Sequence, residues 1–365
     1  MKQALIVIDG DAAGGAERIA TLVANGLAKR AGWRVTFAVM SCELEQAFSR
    51  TALDPSITIS FGAFRKARFS LPLFPLRLFF KRYDFAFSTH VHLNFLLCVM
   101  RSLRLINIRR LVTRETTVIF DRFHGMRRMA FALMYRGYGA QDLIVVQTHY
   151  MGEHIKPFIP RAAREKIQVL ANPVDLMAIE KLACEPLAAA DQELLAGKSN
   201  ILVCGRLVDV KQPILALDVF DRARSKQNRP LQLVFLGDGP LHLAVEAEAK
   251  ARQIANHIAF LGWRANPYQI MHACEYGLLT SAREGFPNVV LEMMACGMKT
   301  VVMTPCCGDL DTLAGVRVSS SFSADELAGL LTSAIVEHID LGNAYRRTVG
   351  LRSIDRYVQS ILNGA

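Results

Sequence analysis

The sequence contains no C-x2-C pair, no low-complexity tract and no apolar run long enough to cross a membrane. Several of its eight cysteines lie inside apolar segments, which favours buried, reduced thiols over a zinc site or a disulfide framework. The longest apolar stretches, residues 71–80 and 94–100, fall short of the ~18–20 residues that a spanning helix needs. The N-terminal segment also lacks the pattern of a cleaved signal peptide. We therefore expect a soluble or surface-associated cytosolic protein.

Acidic residues are scarce in the first half of the chain. Residues 1–180 hold 25 of the 43 Lys and Arg and 14 of the 33 Asp and Glu, a net charge of +11; the rest hold 18 and 19, a net −1. This asymmetry suggests an anionic partner for the first half. Because no nucleic-acid-binding motif accompanies the charge, we do not predict DNA or RNA as that partner.

Short apolar runs recur through the 365 residues, each followed by a loop and a segment of helical period. Runs rich in β-branched and apolar residues without alternation are typical of strands covered on both faces, as in parallel sheets. They predict an α/β protein with two doubly wound domains. The predicted strands are 4–8, 34–40, 85–89, 105–113, 142–148, 166–171, 201–206, 231–239, 258–262, 275–281 and 300–304.

The pattern is interrupted near the middle of the chain, at the sequence NPVD (172–175) and at the Pro- and Ala-rich segment 183–197. A domain boundary is expected there, and we place it after residue 178. Apolar residues at helical spacing in 352–362 predict an amphipathic closing helix. The predicted divisions are 1–178, 179–350 and 351–365.

A glycine-rich loop follows the first predicted strand. Gly14 and Gly15 stand where the loop passes into a helix, so their backbone N–H groups could approach a phosphate or a sugar closely. The spacing does not match G-x-G-x-x-G, and no acidic residue ends the second strand, which disfavours a nicotinamide cofactor. A purely structural tight turn remains the alternative interpretation.

Two cations lie close together after a predicted strand of the second half. Arg206 follows Gly205 at the end of that strand, and Lys211 stands five residues further on. Ligands of parallel sheets bind outside the carboxyl ends of the strands, so both side chains are candidates to bind a diphosphate. Alone this evidence is weak, because surface Arg and Lys are common.

The segment REGFPNVVLEMMACG (283–297) has the most specific pattern. Pro287 suits the first turn of a helix that stops at Gly297. Glu284 then lies in the preceding loop and Glu292 in the second helical turn, where a carboxylate can accept from ribose hydroxyls. The helix N-terminus between them favours an anion.

This segment resembles the E-x7-E signature, in its fuller form E-G-F-P-N-x-x-L-E-x-x-A-x-G, of the retaining family 4 glycosyltransferases. The similarity extends along the chain in order, at the sequences GGAER (14–18), NPVD (172–175), GRL (205–207) with Lys211, and GDGP (237–240). It implies the GT-B fold, in which two Rossmann-like domains face each other across a cleft. The first domain would bind the acceptor, the second the nucleotide sugar, and the closing helix would return to the first.

The resemblance also implies roles for individual residues. Arg206 and Lys211 would neutralise the donor diphosphate, Glu284 would bind hydroxyls of the transferred sugar, and Glu292 would hold the ribose. Gly15 would close on the diphosphate, and the N–H groups of residues 286, 288 and 289 would approach the sugar and phosphates. The remaining donor-binding positions are Gly14, Gly205, Gly285, Phe286, Pro287, Asn288 and Val289.

The chain departs from the family pattern in two places that matter for ligands. Cys306-Cys307-Gly308-Asp309 replaces the commoner Gly-Gly plus Glu, which puts donor-sugar contacts there in doubt. The acceptor motif of the first domain is matched only loosely. Its candidates are Arg114, Glu115, His90 and His92, with a structural role as the alternative for each histidine.

The mechanism implied by the family needs no metal and no other cofactor. Two cations and a helix N-terminus stabilise the departing nucleoside diphosphate, and the acceptor attacks on the same face within an ion pair. A rival interpretation is a metal-dependent transferase of the GT-A type, prompted by the D-x-D triplets at 9–11 and 309–311. Another is a noncatalytic protein that binds nucleic acid or membrane through its basic half.

Residues 64–82 interleave phenylalanines and leucines with six cations. Such a pattern is typical of a segment in the interface of an anionic bilayer, and a core element with solvated flanks is the alternative. With this anchor we expect a peripheral protein on the inner face of the cell membrane. It would move a hexose or N-acetylhexosamine from a UDP-sugar to a lipid-linked or polysaccharide acceptor in bacterial cell-surface glycan synthesis, such as lipopolysaccharide.

Overall fold

A computed structural model describes residues 1–10, 14–41, 53–62, 76, 78, 80–225 and 230–363. The chain divides into two compact units. The first comprises Met1–Pro173 together with Arg352–Ala365, and the second comprises Val174–Leu351. The observed division thus falls a few residues before the predicted boundary at 178.

The first unit is built on a parallel sheet of seven strands. Its order, β3-β2-β1-β4-β5-β6-β7, places β1 near the centre, and Ala4–Ile8 of this strand are completely buried. Burial on both faces explains why these strands appear in the sequence as continuous apolar runs. The strands are β1 (Lys2–Ile8), β2 (Trp33–Val39), β3 (Thr58–Phe61), β4 (Arg82–Ser88), β5 (Asn107–Arg114), β6 (Leu143–Val146) and β7 (Ile167–Val169).

Helices cover this sheet, and the last of them comes from the C-terminal end of the chain. They are α1 (Gly15–Ala28), α2 (Val91–Ser102), α3 (Ile119–Arg122), α4 (Gly125–Arg136), α5 (His149–Ile155), α6 (Arg161–Arg164) and, from the C-terminal segment, α15 (Ile354–Asn363). Tyr357, Val358 and Ile361 of α15 are buried in the same core as α1. A Cβ atom at Gly26 of α1 would lie only 2.8 Å from Cγ2 of Ile354, so glycine permits this close packing.

The second unit contains a parallel sheet of six strands in the order β10-β9-β8-β11-β12-β13. Chain order reverses between β8 and β11, which creates the switch point where doubly wound folds bind ligands. The strands are β8 (Ser199–Cys204), β9 (Leu231–Leu236), β10 (Ile258–Gly262), β11 (Tyr276–Leu279), β12 (Thr300–Met303) and β13 (Arg317–Val318).

Eight α-helices accompany this sheet within the described residues, and two hydrophobic clusters form the core on its two faces. The helices are α7 (Leu176–Ala183), α8 (Ala189–Leu195), α9 (Pro213–Arg224), α10 (His242–Ala251), α11 (Tyr268–His272), α12 (Asn288–Ala295), α13 (Ala324–Val336) and α14 (Gly342–Gly350). Single 3₁₀ turns lie at Asp209–Lys211, Ala255–His257 and Leu310–Thr312.

All eleven predicted strands are present, with ends shifted by up to three residues. Strands β3 and β13 were not predicted from the sequence. No disulfide joins the described cysteines, and four of these are buried. Within the same described residues, no helix is both long enough and apolar enough to cross a membrane.

Candidate functional site

The carboxyl end of β8 presents the first group of predicted donor residues. Gly205 follows the strand with φ of +148°, a conformation that favours glycine, and its N–H donates to the carbonyl of Leu236 at 3.0 Å. Arg206 is exposed, and Lys211 ends the 3₁₀ turn that comes next. These two cations line one small depression together with Ser281. The structure therefore brings the predicted diphosphate ligands to one place.

Lys211 is paired with Glu284. Its Nζ lies 2.5 Å from Oε1 of Glu284, and the hydroxyl of Ser281 donates to the same oxygen at 2.8 Å. Thr280 fixes the backbone here, because its hydroxyl donates to the carbonyl of Lys211 at 2.9 Å. The N–H of Glu284 donates to the carbonyl of Cys306 at 2.8 Å, which holds the loop after β11 against the loop after β12.

The loop between β8 and Lys211 is packed backbone to backbone against the loop after β9. A Cβ atom at Gly237 would overlap the carbonyl oxygen of Gly205, and one at Gly239 would overlap that of Leu207. The N–H of Leu207 donates to the carbonyl of Asp238 at 3.1 Å. The glycines of the GDGP segment thus support the loop that carries Arg206.

The predicted helix of the signature segment is α12, which begins at Asn288, one residue after Pro287. Pro287 has φ of −81° and ψ of 83°, close to an inverse γ-turn, and the N–H of Asn288 donates to the carbonyl of Phe286 at 3.0 Å. In this structure that N–H is therefore engaged within the turn, whereas the sequence predicted its approach to the sugar. The Phe286 side chain is buried in the core below.

Glu292 lies in the second turn of α12, as the signature predicts, and it is half-buried. Gly285 and Val289 are half-buried as well. A larger cavity of about 420 Å³ lies near the other end of α12, lined by residues such as Met294, Gly297 and Arg346. None of the predicted donor residues lines it, so the chemistry favours the smaller depression at β8.

A second polar cluster lies at the carboxyl edge of the first unit's sheet. Nε2 of His92 lies 2.8 Å from Oδ1 of Asp9, and Nε2 of His90 lies 3.6 Å from Oε1 of Glu17. The two imidazole centroids are 5.8 Å apart. The hydroxyl of Thr89 lies 3.0 Å from Nδ1 of His90. The structure thus joins the two predicted histidines to two carboxylates.

Burial and charge set the protonation of this cluster. Burial raises the pKa of Glu17 to about 7, and the charge of Asp9 adds to this effect. Burial lowers the pKa of His90 to about 4, although the charge of Asp9 opposes that shift. Burial also disfavours ionisation of Asp9, but its hydrogen bond to His92 and the charge of that histidine hold its pKa below the ordinary range.

Sequence reasoning assigned no acceptor role to Asp9 or Glu17. Strand order could have found them: Asp9 follows β1 and the histidines follow β4, which is the neighbour of β1 in the sheet. Glu17 lies in the first turn of α1, and a Cβ atom at Gly14 would overlap its carboxylate. Gly14 therefore makes room for Glu17, and Gly15 begins the helix. Residues 11–13 of the glycine loop lie outside the described residues.

Arg114 and Glu115 are placed differently from the histidines. Each is only 1% exposed, in a position that leaves no surface for an acceptor. Glu115 accepts from the hydroxyls of Tyr135 at 2.6 Å and Tyr138 at 2.9 Å. Nη2 of Arg114 donates to Asn172 at 2.8 Å. The burial of both side chains and the hydrogen bonds of Glu115 to two tyrosines support a structural role in place of the predicted acceptor contact.

Among the described residues, no three His, Cys, Asp or Glu side chains are grouped as a metal site would need. Of the D-x-D triplet after β1, only Asp9 and Gly10 fall in the described part of the chain, and Asp9 is bonded to His92. The predicted interfacial segment 64–82 lies largely outside it. Near its end, Leu78 is buried in the core, whereas Phe80 is 82% exposed.

Two family models match the chain in the order of its two units. "Glycosyltransferase Family 4" matches residues 13–177, and "Glycosyl transferases group 1" matches residues 188–336. The chain belongs to the family 4 glycosyltransferases. Within this glycosyltransferase the signature Glu284 to Glu292 and the Arg206 and Lys211 pair fall inside the matched ranges. Of the first-unit cluster, Glu17, His90 and His92 fall inside them, and Asp9 precedes them.

Curated relatives match parts of this glycosyltransferase. One is the Campylobacter jejuni N-acetylgalactosamine-N,N'-diacetylbacillosaminyl-diphospho-undecaprenol 4-alpha-N-acetylgalactosaminyltransferase, 33% identical over 137 residues, which are 38% of this chain and 34% of the relative. Another is the putative glycosyltransferase EpsF of Bacillus subtilis, 26% identical over 51% of this chain and 48% of the relative. The matches therefore span about half or less of each relative's length.

Solved structures establish the fold. HepE of Anabaena, solved in complex with UDP and glucose, matches with a TM-score of 0.78 at 16% identity, over 100% of both chains. The lipopolysaccharide outer core galactosyltransferase WaaB matches with a TM-score of 0.70 at 18% identity, over 99% of both chains. This family 4 glycosyltransferase has the predicted GT-B fold of two Rossmann-like domains. The GT-A alternative is thereby removed.

Proposed function

We propose that the protein is a retaining glycosyltransferase that moves a hexose or N-acetylhexosamine from a UDP-sugar to a lipid-linked or polysaccharide acceptor. The observation that carries the proposal is the convergence of Arg206, Lys211 and Glu284 at the switch point of the second sheet, beside the N-terminus of α12. A sugar diphosphate suits this arrangement, because the cations can bind its phosphates while the carboxylate accepts from its sugar hydroxyls.

In the proposed complex each donor group has a distinct task. The guanidinium of Arg206 and the ammonium of Lys211 bind the diphosphate, where two negative charges develop as the sugar departs. Glu284 accepts from hydroxyls of the transferred sugar, and its contact with Lys211 fixes both side chains in advance. Glu292, one helical turn into α12, accepts from the ribose hydroxyls.

The acceptor is proposed to bind at the first-unit cluster. Asp9 orients the imidazole of His92, and neutral His90 lies next to it, so both rings can hydrogen-bond to sugar hydroxyls. The name of the Campylobacter jejuni relative includes a diphospho-undecaprenol, which supports a lipid-diphosphate acceptor in bacterial glycan assembly. With such an acceptor, the protein would catalyse the transfer at the inner face of the cell membrane.

We propose that no metal is required, because the two cations and the helix N-terminus can stabilise the departing diphosphate. The test is a donor screen that monitors UDP or GDP release from nucleotide sugars, with lipid-linked acceptors present, with and without EDTA. Acceptor-dependent UDP release that survives EDTA is the expected result. Release that needs a divalent cation would contradict the metal-independent mechanism.

The same assay tests the donor site. Arg206→Ala should lower turnover about 10²–10³-fold, as for the loss of one oxyanion donor. Lys250→Ala, an exposed lysine on α10, is the matched control and should leave turnover unchanged. Near-normal turnover of Arg206→Ala would refute the proposed role, and the anomeric configuration of the product, read by NMR, tests retention.

A further inference from the structure

Helix α4 exposes a row of large apolar side chains to solvent. Met126 is 86% exposed, Met129 is 72% exposed and Leu133 is 66% exposed. Their spacing of three and four residues places them on one face of the helix. Other exposed apolar residues on helices of the second unit, such as Met177 and Leu243, lie on separate helices. A contiguous apolar face of this kind marks an interaction surface.

The opposite face of α4 fixes this orientation. Tyr135 is completely buried, and its hydroxyl donates to the buried carboxylate of Glu115 at 2.6 Å. At 100° per residue, Tyr135 lies about 180° around the helix from Met126. Tyr138, just beyond the helix, donates to the same carboxylate at 2.9 Å. The helix therefore cannot turn its row of methionines inward without breaking this buried network.

The stretch that contains α4 carries charge of one sign, between Asp121, which accepts from Tyr150, and Asp142, which is paired with Arg101. Residues 122–141 contain four arginines and neither Asp nor Glu. Arg136 follows Leu133 by three residues and lies on the apolar face, whereas Arg127, nine residues before Arg136, lies about 180° away from it around the helix. Arg128 is held against the core, since its guanidinium lies over the rings of Phe120 and Phe158. An apolar stripe that ends in the cation Arg136 and carries no carboxylate is complementary to an anionic lipid surface.

We propose that the exposed face of α4, formed by Met126, Met129, Leu133 and Arg136, docks on the surface of an anionic phospholipid bilayer. The apolar side chains enter the headgroup region, and the guanidinium group of Arg136 contacts the lipid phosphates. Helix α4 begins soon after the carboxyl end of β5, the sheet edge that carries His90 and His92. With this face, the proposed membrane binding does not depend on the segment 64–82.

The test is co-sedimentation of the full-length protein with vesicles of phosphatidylcholine alone or with about one-third phosphatidylglycerol, at low and high salt. Binding is expected only to the anionic vesicles. The variant Met126→Gln/Met129→Gln/Leu133→Gln should reduce partitioning about tenfold or more. Arg136→Gln should reduce it about fivefold, whereas Arg127→Gln, on the opposite side of the helix, should reduce it less. These side chains are exposed, so the variants should fold, and circular dichroism checks this.

The matched control is Met177→Gln/Leu243→Gln/Val336→Gln, which removes three equally exposed apolar side chains from helices of the second unit. It should partition like the wild type. The proposal would be overturned if the α4 triple variant partitioned onto vesicles like the wild type. It would also be overturned if Phe80→Gln, and not the α4 variant, lost vesicle binding. A change from dimer to monomer in the α4 variant would assign the face to a second copy and also overturn it.

The inference rests on the proposed function only for the identity of the acceptor. Vesicle binding is measured without donor or acceptor, and UDP release with a water-soluble acceptor is measured separately. The α4 variants should keep that release while losing vesicle binding. Absence of UDP release in the wild type together with α4-dependent vesicle binding would refute the enzyme proposal alone.

Discussion

Lys211 and Glu284 stand 73 residues apart in the chain and share one short ion pair. The pair is partly buried, with side-chain exposures of 27% and 17%. Each member orients the other, so the proposed donor diphosphate would meet a cation that is already positioned. Preorganisation of this kind lowers the reorganisation that the reaction requires.

Replacement of Lys211 tests this arrangement. Lys211→Ala removes a cation from the diphosphate and leaves Glu284 without its ammonium partner, so kcat should fall about 10²–10³-fold. Lys211→Arg retains the charge and should recover part of the rate. Steady-state kinetics with the best donor of the screen provides the measurement. A variant that raises KM alone would show that Lys211 binds the ground state and the transition state equally and does not act on the chemical step.

Glu17 should make the stability of the first unit depend on pH. Its pKa is about 7 in the folded protein against an ordinary 4.5, so the folded protein holds the proton more tightly than the unfolded chain does. The stabilisation is therefore complete below about pH 4.5 and is lost as the pH rises through about 7. Glu17→Gln removes this dependence and should gain up to about 3 kcal/mol over wild type between pH 5 and 8.

Urea unfolding at several pH values measures this difference. The chain has two tryptophans, Trp33 in the first unit and Trp263 in the second. In a Trp263→Phe background the fluorescence of Trp33 therefore reports the first unit alone. Glu165→Gln, at an exposed position of the same unit, is the control and should give a pH-independent difference. Parallel curves for Glu17→Gln and the control would contradict the prediction.

At the scale of elements, the contact between α1 and α15 depends on a missing side chain. Gly26→Ala would place a Cβ atom 2.8 Å from Ile354 and 3.0 Å from Val358. Overpacking should cost about 1–3 kcal/mol, against a helix-propensity gain of about 1 kcal/mol. We expect net destabilisation of the first unit, measured by Trp33 fluorescence in urea.

Two further variants interpret that result. Gly152→Ala in α5 meets neighbours only at 3.4 Å or more, so it should be neutral or stabilising. Ile354→Ala combined with Gly26→Ala removes the crowded methyl group and should cost less than the sum of the single changes. Additive costs would show that Gly26 and Ile354 do not compete for the same space.

Strands and the signature helix were predictable because each is encoded by a local pattern. The apolar runs of β1 and β8 are buried on both faces, and Pro287 and Gly297 mark the ends of α12. Strand β3 lies at a sheet edge and is half-exposed, so its sequence TISF lacks an apolar run. Strand β13 has two residues, too few for any period to show.

The sequence predicted which residues form the candidate site better than it predicted which of them contact one another. Arg206 and Lys211 stand near each other in sequence, and the signature includes Glu284. The contact of Lys211 with Glu284 arises only when β8 and β11 become neighbours in the sheet. Burial of Glu115 likewise depends on two tyrosines twenty residues or more away, which no local pattern announces.

At the scale of the whole molecule, the uneven charge assigns the proposed membrane binding and the proposed donor binding to different parts of the chain. The first 180 residues carry a net +11, whereas the two proposed donor cations, Arg206 and Lys211, belong to the nearly neutral remainder. Raising NaCl from about 0.05 to 0.5 M should reduce partitioning onto anionic vesicles about tenfold or more, because screening acts on exposed charges. The KM for the nucleotide sugar should change only about twofold, since Lys211 is partly buried and already paired with Glu284. Equal salt dependence of the two would contradict this separation.

The contact of Gly237 with Gly205 has a consequence for how the enzyme can be varied. A Cβ atom at Gly237 would overlap the carbonyl oxygen of Gly205, and its φ of +134° favours glycine, so a library of substitutions at Gly237 should lose activity as a class. Directed evolution toward other donors would then succeed at exposed positions of the pocket wall and fail at the turn beneath it. The turn that supports the proposed diphosphate ligands therefore tolerates little change, and the donor range would be altered through the residues around the sugar.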